Sequence, residues 1–493
     1  MYSLTQLYKM TYLYLLLPLF LFLTTWLDCG WAIIFGGIWA YCGYQTCRLV
    51  QKNDFTYGNR KVFLIALIFA VIWCFCAGIG YFYYQSFDYH FRNAVFRDLI
   101  NNSWPVFYDK ADTPMVYYMA FWLPAALIGK VLSIFPLTQS SIFMTANIFL
   151  FIYAVCGLGL ILLHIFAAAK VKSTKQALFS ALFFLLFSGA DIIGYTYFKT
   201  GEQPFALHLE WWSGILQYSS MTTFLFWVFN QFIPIALITL MIYNERNIKN
   251  FGVLITAALF FSPYPTLGGG ILAIVYAGYC FMRTDDKLSF LRNDIFSKQN
   301  MLAVFLILPL IILYFSTNSG GITKFYFLTD FASWKQYFRF IGCEVLIYIL
   351  ILLPFFRKNI FFGTVAVSLL LFPLLRTDMQ NNFCMRASLP ALILLAVFVL
   401  KFISENIYRR KNYLAVGAIL LVFLFGCATP ITEFRRGIHY VTEAQKLNLT
   451  ADGIYTLNQK YVDMPVFHFR ANHQFTAEHY KTDIFWNFFA TQR

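Results

Sequence analysis

The sequence predicts an all-α polytopic membrane protein with about 13 transmembrane helices, and three observations lead to this fold class. Hydrophobic residues make up 60% of the 493-residue chain and charged residues only 12%, whereas about 25% of the residues in a typical soluble domain are charged. Aromatic residues reach 20%, which is typical where rings line membrane interfaces. The apolar residues are gathered into runs close to the roughly 20 residues that a helix needs to cross a bilayer. This composition excludes a soluble enzyme, a disordered protein and a disulfide scaffold.

Thirteen apolar runs in the sequence are candidate transmembrane helices. The first run resembles a signal peptide in length, but Asp28 and Cys29 follow it in place of the small residues that cleavage requires, so we expect a retained helix. One further apolar segment, 115–135, is ambiguous by hydropathy alone. The thirteen runs lie at 11–27, 31–49, 62–84, 142–168, 175–196, 222–244, 252–264, 266–282, 300–317, 341–356, 359–375, 387–404 and 412–429.

The positions of lysine and arginine predict the orientation of the chain. Basic loops favour the cytoplasmic side of a membrane. With an inside N-terminus and with 115–135 left out of the count, all six inner loops are basic, whereas a spanning 115–135 would put the Lys170 cluster outside. We therefore predict an N-inside, C-outside topology in which 115–135 forms one or two interfacial helices. The six basic loops lie at 48–61, 170–175, 246–249, 283–298, 357–358 and 409–411.

The polar sequence between the spans collects on the predicted outer face. Six of the seven histidines fall in outer segments, so we expect the functional residues there. The chain then divides into an N-terminal transmembrane hairpin with its inner loop (1–61), a transmembrane core (62–429) and a small extracytoplasmic C-terminal segment (430–493). The outer segments are 85–141, 197–221, 318–340, 376–386 and the tail from residue 429.

The charge and the cysteines exclude two further classes of site. The net charge is +14, but no basic run has the length or the aromatic interleaving of a nucleic-acid surface, so we expect no nucleic-acid partner. The ten cysteines lie almost entirely within or beside apolar runs, and their spacing matches neither a metal site nor a disulfide framework. We interpret them as small core residues.

The first candidate site follows the outer end of the third span, in the segment 87–93. Asp88 would sit there at a fixed depth near the lipid headgroups. It could act as a general base on a sugar hydroxyl, or as an oxygen ligand of a divalent cation such as Mg²⁺ or Mn²⁺. His90 and Arg92 lie within four residues and could bind substrate. A helix cap or an interfacial anchor is the alternative interpretation of Asp88, and the sequence leaves both open.

The second candidate site lies in and beside the outer loop 197–221, where acids alternate with aromatic residues. Glu210 is its candidate catalytic carboxylate, because rings stack on the apolar faces of sugars while carboxylates accept from their hydroxyls. Asp191 is a candidate because an ionisable residue at membrane depth is often functional, although it could equally form a structural bridge with Lys199. An aromatic belt with incidental charge is the alternative for the whole loop. The candidate substrate-binding residues are Asp191, Lys199, Glu202, His208, Trp211 and Trp212.

The third candidate site is the segment 376–386, which precedes the twelfth span on its outer side. Arg386 near a helix N-terminus would combine a guanidinium and a helix dipole in one site for phosphate or pyrophosphate. Asp378 is a further substrate-binding candidate. A snorkelling arginine is the alternative. The Pro/Gly-rich segment 262–270 indicates either a tight outer turn or a broken transporter helix.

Together these features resemble the GT-C glycosyltransferases, membrane enzymes that take sugars from polyprenyl-phosphate or polyprenyl-pyrophosphate carriers. The resemblance covers roughly 62–493 and is one of architecture: a long first outer loop with interfacial helices, an acid at its membrane-proximal start, many spans and a small outer C-terminal part. It implies that Asp88 occupies the position of the family's essential first-loop acid. The chain departs from the family in the hairpin 11–49 that precedes this loop, and in lacking an adjacent acidic pair beside Asp88, which puts metal dependence in doubt.

The resemblance implies an inverting sugar transfer on the extracytoplasmic face of a bacterial inner (plasma) membrane, in the biosynthesis of cell-envelope glycoconjugates. The expected partners are the lipid bilayer, a polyprenyl-linked sugar donor and a glycan or lipid acceptor. Two alternatives remain open at this point. One is a flippase or transporter of a lipid-linked glycan, which the Pro/Gly-rich segment favours, and the other is a polysaccharide polymerase.

Overall fold

The structure is a computed structural model, and it describes residues 2–51, 56–57, 60–86, 88–109, 112–199, 208–320, 324–329, 331–377, 382–446 and 474–491. In these residues nine helices are long and apolar enough to cross a membrane. The all-α membrane class is thereby confirmed, while the number of spans and their orientation stay predictions. The nine are Leu4–Thr25, Gln139–Ala168, Thr174–Phe198, Met221–Asn244, Pro263–Arg283, Lys298–Ser316, Ala332–Phe356, Leu389–Asn406 and Arg410–His439.

The described residues form twenty-one α-helices and three short antiparallel strand pairs. The strands are β1 (Tyr2–Ser3) with β2 (Thr56–Tyr57), β3 (Phe107–Tyr108) with β4 (Thr113–Pro114), and β5 (Tyr326–Phe327) with β6 (Leu375–Arg376). The helices are α1 Leu4–Thr25, α2 Cys29–Arg48, α3 Arg60–Cys76, α4 Tyr89–Asn101, α5 Leu123–Leu132, α6 Gln139–Ala168, α7 Thr174–Leu186, α8 Asp191–Phe198, α9 Met221–Asn244, α10 Phe251–Phe261, α11 Pro263–Arg283, α12 Lys287–Phe290, α13 Lys298–Leu302, α14 Leu308–Ser316, α15 Phe331–Ile341, α16 Ile347–Phe356, α17 Ile360–Leu371, α18 Asn382–Ala387, α19 Leu389–Asn406, α20 Tyr413–Gly426 and α21 Ala428–Lys446.

Every one of the thirteen predicted runs coincides with helix. Four of them are shorter or less apolar than the nine long spans: 31–49 and 62–84 match α2 and α3, while 252–264 and 359–375 match the short apolar helices Ile248–Phe261 and Ile360–Leu374. Local capping explains several helix starts. Ser3 and Gln6 form a reciprocal capping box on α1, and Ser173 and Gln176 form the same arrangement on α7.

The segment 115–135 contains a helix that is too short to cross a bilayer. A 3-10 turn at Ala120–Trp122 leads into α5, whose ten residues rise only about 15 Å. Phe121 and Trp122 are buried, and the side chain of Ile100 on α4 packs directly over Gly129 of α5. The segment is therefore packed into the protein as well as short, which fits the interfacial placement predicted for it.

The segment 262–270 begins with a one-residue break between two helices and continues as the first turns of α11. α10 ends at Phe261 and α11 begins at Pro263, with Ser262 in extended conformation between them. A Cβ built on Gly269 would lie 3.9 Å from the side chain of Ile255, so the two helices fold back on each other. Both sequence interpretations, a tight turn and a broken helix, stay open at Ser262.

The N-terminal hairpin shares one hydrophobic core with the rest of the helices. The rings of Tyr14 on α1 and Tyr153 on α6 stack with centroids 4.2 Å apart. Two residues earlier on α1, the Tyr12 hydroxyl donates to the buried carboxylate of Glu245, and the Asn250 side chain donates to the Tyr12 hydroxyl over 3.2 Å. The predicted boundary at residue 61 therefore does not separate two cores.

The described part of the C-terminal segment lies against the segment 85–141 and the C-terminal end of α1. Val116 N donates to Phe475 O (2.9 Å), and the Phe475 ring stacks on Phe91 of α4 (5.8 Å between centroids). Thr491 N donates to Trp26 O at 3.0 Å. These contacts bring the tail close to the segment that carries Asp88.

An impermeant maleimide tests the predicted orientation. In a background stripped of native thiols, Asn101→Cys and His479→Cys should react in intact cells, because both positions are exposed and belong to predicted outer segments. Lys172→Cys should stay unreacted, since it lies in an inner basic loop whose translocation would oppose the positive-inside bias. Labelling of the Lys172 variant together with the Asn101 variant would show that 115–135 spans the membrane, and labelling of the Lys172 variant alone would show that the chain is inverted.

Candidate functional site

A glycine-rich turn after α3 places the start of α4. α3 ends at Cys76, eight residues before the end of the predicted span, because Gly78 and Gly80 adopt φ values of +76° and +85°, a region that favours glycine. A Cβ on Gly78 would lie 2.4 Å from Tyr84 O, so the chain reverses too tightly for any side chain there. The Tyr89 hydroxyl then donates to Ala77 O (2.8 Å) and anchors the first turn of α4 on the end of α3.

Asp88 directly precedes α4 and forms an ion pair with Arg92 one turn later. Arg92 Nη2 donates to Asp88 Oδ2 over 3.0 Å. The Arg92 side chain is only 7% exposed, whereas that of Asp88 is 43% exposed. The guanidinium of Arg92 lies over the rings of Tyr89 and Phe229, and its Nη1 atom is buried without a hydrogen-bond partner among the described residues.

Arg386, from the third candidate site, lies within electrostatic range of Asp88. Burial lowers the pKa of Arg386, but its charge interactions with Tyr118, Tyr117 and Asp88 outweigh burial and raise that pKa. Burial raises the pKa of Tyr117 well above its ordinary value, against the opposing fields of Arg92 and Arg386. The Nε atom of Arg386 is buried and has no hydrogen-bond partner in the part of the chain that the structure describes.

These five residues form what we call the outer arginine cluster: Asp88, Arg92, Tyr117, Tyr118 and Arg386. They come from three distant segments, two of which the sequence had singled out as separate candidates. Two guanidinium groups against one carboxylate leave a net charge of +1, and each arginine holds a buried N–H that finds no partner among the described residues. Guanidinium groups in that state are suited to bind phosphate oxygens. Arg386 lies at the end of the six-residue α18, two residues before Ser388, the N-cap of α19.

The surroundings of Asp88 do not fit a divalent cation. Its described neighbours are cationic, whereas Mg²⁺ and Mn²⁺ require several oxygen ligands. Across the described residues, no three His, Cys, Asp or Glu side chains converge as a metal site.

Glu210, the second catalytic candidate, is buried in a separate set of contacts. Its Oε2 accepts from Gln217 Nε2 (2.8 Å) and from the Ser219 hydroxyl (2.7 Å), and its Oε1 accepts from the backbone N–H of Ser220 (2.9 Å). Ser220 is the N-cap of α9. Glu210 therefore fastens the outer loop to the start of α9, an arrangement that favours a structural role over contact with an acceptor.

The state of Glu210 can be tested by the pH dependence of stability. Burial, and then the charge of Asp191, raises the pKa of Glu210 to about 8. Because the folded state holds this proton more tightly than the unfolded state, stability is full at acidic pH and falls as the pH rises toward 8. Glu210→Gln should therefore lose less thermal stability between pH 6 and pH 9 than the parent protein does, measured as the difference in unfolding temperature. Equal losses in both proteins would contradict this assignment.

His208 lies in a buried cluster of rings and charges on the other side of the same loop. The imidazole stacks on Trp227 with centroids 5.2 Å apart and contacts Trp211 at 4.8 Å. Glu433 accepts from Trp227 Nε1 (3.0 Å) and from Arg436, and it lies 3.8 Å from His208 Nδ1. Burial, and then the field of Arg436, lowers the pKa of His208 to about 3, so the ring is neutral at physiological pH.

Asp191 is fully buried in a network that joins four segments. Its carboxylate accepts from the hydroxyls of Thr429 (2.7 Å) and Ser188 (3.1 Å) and from Trp212 Nε1 (3.2 Å). The indole N–H of Trp212 also points to Glu344 Oε1 at 3.1 Å, and the Glu344 and Asp191 carboxyl groups interact directly. Glu344 lies on a π-helical turn, Gly342–Leu346, a feature that often marks functional sites.

Several predicted residues lie elsewhere or outside the described residues. Lys199 is exposed with its Nζ over the Tyr195 ring, so the suggested bridge between Lys199 and Asp191 is wrong: the described partners of Asp191 are those named above. Glu202, Asp378 and the side chain of His90 fall outside the described residues. The indole N–H of Trp212 points to the buried carboxyl groups of Asp191 and Glu344. Trp211 packs against His208, and about a third of the Trp211 surface is exposed.

Sequence reasoning missed five residues of these clusters: Tyr117, Tyr118, Glu344, Glu433 and Arg436. Glu344 carried a usable signal, because it is an acid inside the predicted span 341–356 and falls under the rule that singled out Asp191. Glu433 and Arg436 were assigned to the C-terminal segment, whereas α21 continues directly from α20 and turns both side chains inward. The two tyrosines carried no signal in an aromatic-rich segment.

Comparisons of the chain with protein-family models, with curated proteins and with solved structures found no match.

Proposed function

We propose that the protein transfers a sugar from a polyprenyl-phosphate or polyprenyl-pyrophosphate carrier to a glycan, lipid or other acceptor on the outer face of the plasma membrane. The observation that carries the proposal is the ion pair of Arg92 with Asp88, with the buried guanidinium of Arg386 within electrostatic range of the same carboxylate. A polyprenyl-linked sugar combines an anionic phosphate with an apolar tail, and it lies in the membrane with its phosphate at headgroup level. A cationic cluster at the end of a transmembrane helix, with unpartnered guanidinium N–H groups, matches that ligand.

Each charged member of the cluster then has a role in the reaction. Asp88, the more exposed member, takes the proton of an acceptor hydroxyl as that oxygen attacks the anomeric carbon. The new C–O bond forms as the bond from that carbon to the carrier phosphate breaks, so the configuration inverts. Arg386 and Arg92 neutralise the charge that develops on the leaving phosphate. Proton removal by a positioned base is worth roughly a hundred- to ten-thousand-fold in rate.

Purified protein incubated with a lipid-linked sugar pool separates this proposal from its alternatives. Release of free polyprenyl phosphate or pyrophosphate together with a glycosylated acceptor supports transfer. Movement of the lipid across a proteoliposome membrane without bond cleavage supports a flippase, and growth of a lipid-linked chain supports a polymerase.

A further inference from the structure

An apolar groove lies on the surface of the helix bundle, remote in sequence from the outer arginine cluster. α10, α11 and the segment from α13 to α14 form its walls, and its volume is about 350 Å³. The lining side chains are aliphatic and aromatic apart from Asn300. Phe305 and Ile274 stand at its rim, 60% and 73% exposed.

Small residues make the surface concave at this place. Gly252 N donates to Asn300 Oδ1 (2.8 Å), and a Cβ on Gly252 would lie 2.9 Å from the side chain of Val304. α10 therefore approaches the α13–α14 segment closely and closes the floor of the groove. On the opposite wall, a Cβ on Gly270 would meet no atom within 4 Å, so Gly270 opens onto free space.

The length of the groove matches one membrane leaflet. Along one wall it runs from Asn300 to Leu308, which is about 12 Å at the helical rise of 1.5 Å per residue. Half of the hydrocarbon core of a bilayer is about 15 Å. A single acyl chain from one leaflet would therefore fill it.

The end of the groove that contains Asn300 is basic. Ile248, Ile295 and Phe296 line that end. Lys249 is adjacent to Ile248 in sequence, and its Nζ lies 3.7 Å from Asp294 Oδ1. Arg292 and Lys298 are exposed within three residues of the same lining positions, so cations outnumber acids there. Clusters of this kind beside a membrane attract anionic headgroups.

We propose that this groove binds an anionic glycerophospholipid. One acyl chain lies between α11 and the α13–α14 segment, and Lys249, Arg292 and Lys298 hold the headgroup. The site is independent of the proposed sugar transfer, because it shares no residue with the outer arginine cluster. A zwitterionic lipid would enter the same groove but would lack the charge interaction that retains the anionic one.

Native mass spectrometry of the full-length protein, titrated with phosphatidylglycerol or phosphatidylcholine, tests the proposal. We expect tighter binding of phosphatidylglycerol and a loss of about tenfold or more in Gly270→Leu, whose side chain excludes several methylene groups from the groove. Gly278→Leu is the matched control: it lies on the same helix, a Cβ there also meets nothing within 4 Å, and it does not line the groove. Leucine is a better helix former than glycine, so neither change should impair folding.

A second pair of variants tests the headgroup contacts. Arg292→Gln combined with Lys298→Gln should lower the affinity for phosphatidylglycerol most of the way to that for phosphatidylcholine, without changing the latter, because Lys249 remains. Equal binding of both lipids to the parent protein would overturn the headgroup assignment. If Gly270→Leu and Gly278→Leu bind phosphatidylglycerol equally well, the acyl chain does not lie in the groove and the proposal is overturned.

Discussion

Arg386→Gln is expected to lower sugar transfer by about a hundred- to a thousandfold, the range found when one preorganised group is removed from a developing negative charge. Arg386 interacts electrostatically with Asp88 and Tyr117, and its buried Nε has no hydrogen-bond partner among the described residues. A phosphate oxygen would complete that hydrogen bonding. The loss should appear as weaker donor binding together with slower release of the carrier phosphate, because the guanidinium contacts the phosphate both before and during bond cleavage.

Asp88→Asn should behave differently at the same cluster. The amide keeps the size of the side chain but cannot take a proton, so turnover should fall by roughly a hundred- to ten-thousand-fold. Donor binding should stay the same or become tighter, since one negative charge leaves a site that binds an anion. The contrast between Arg386→Gln and Asp88→Asn in KM and kcat therefore assigns the binding and the proton-transfer role separately.

Arg339→Gln is the matched control for both variants. Arg339 belongs to α15, in the predicted outer segment 318–340, where its guanidinium lies over the Phe198 ring 5.0 Å away. It is an arginine in an outer segment without a contact to Asp88, so its removal should leave transfer within about twofold of the parent rate, in the manner of ordinary surface changes. Parent-like transfer in Arg386→Gln, or the same loss in Arg339→Gln, would remove the outer arginine cluster from the proposed reaction.

The helices were predictable because their signal is local. Runs of apolar residues fix where a chain can remain in lipid, and each of the thirteen runs is helical in the structure. The end of the third helix was not predictable by hydropathy, because Gly78 and Gly80 turn the chain while the sequence around them is still apolar. Backbone conformation, rather than polarity, ends that helix.

The individual site residues were predictable, whereas their grouping was not. Asp88 and Arg386 each stood out by position, but they are far apart in the chain and only the helix packing brings them together. Glu210 stood out by the same reasoning and instead caps the loop before α9. A carboxyl group beside paired tryptophans has the same sequence pattern whether its role is catalytic or structural. The difference lies in whether neighbouring hydroxyl and amide groups already occupy its oxygens.

Asp191→Ala is expected to destabilise the protein by about 3–5 kcal/mol, the cost of removing one partner from a buried charged network. Three donors converge on the Asp191 carboxylate from Ser188, Trp212 and Thr429. Alanine would leave these donors buried without an acceptor. The measurement is thermal or denaturant unfolding of the purified protein in detergent, followed by the fluorescence of its tryptophans.

Glu344→Gln should destabilise the protein far less than Asp191→Ala does. The difference between the two variants identifies which carboxyl group carries the proton. A hydrogen bond between the carboxyl groups of Asp191 and Glu344 requires that one of them carries a proton. Since Ser188 and Thr429 donate to Asp191 and not to Glu344, we infer that Asp191 is the carboxylate and Glu344 the acid. Glutamine at 344 keeps a donor toward Asp191, so its cost should stay within about 1 kcal/mol, comparable to an exchange of one neutral hydrogen bond for another.

Infrared difference spectroscopy measures independently whether the Glu344 carboxyl group is protonated. The carbonyl band of a protonated carboxylic acid should be lost between the parent protein and Glu344→Gln, whereas an unrelated change such as Gly278→Leu should retain it. Gly189→Ala should perturb that band, because a Cβ on Gly189 would lie 1.9 Å from Glu344 Oε2 and would force the acid away from Asp191. Equal destabilisation by Asp191→Ala and Glu344→Gln, with no change in the carbonyl band, would mean that both acids are ionised. Trp212 would then be the group that holds the two charges together.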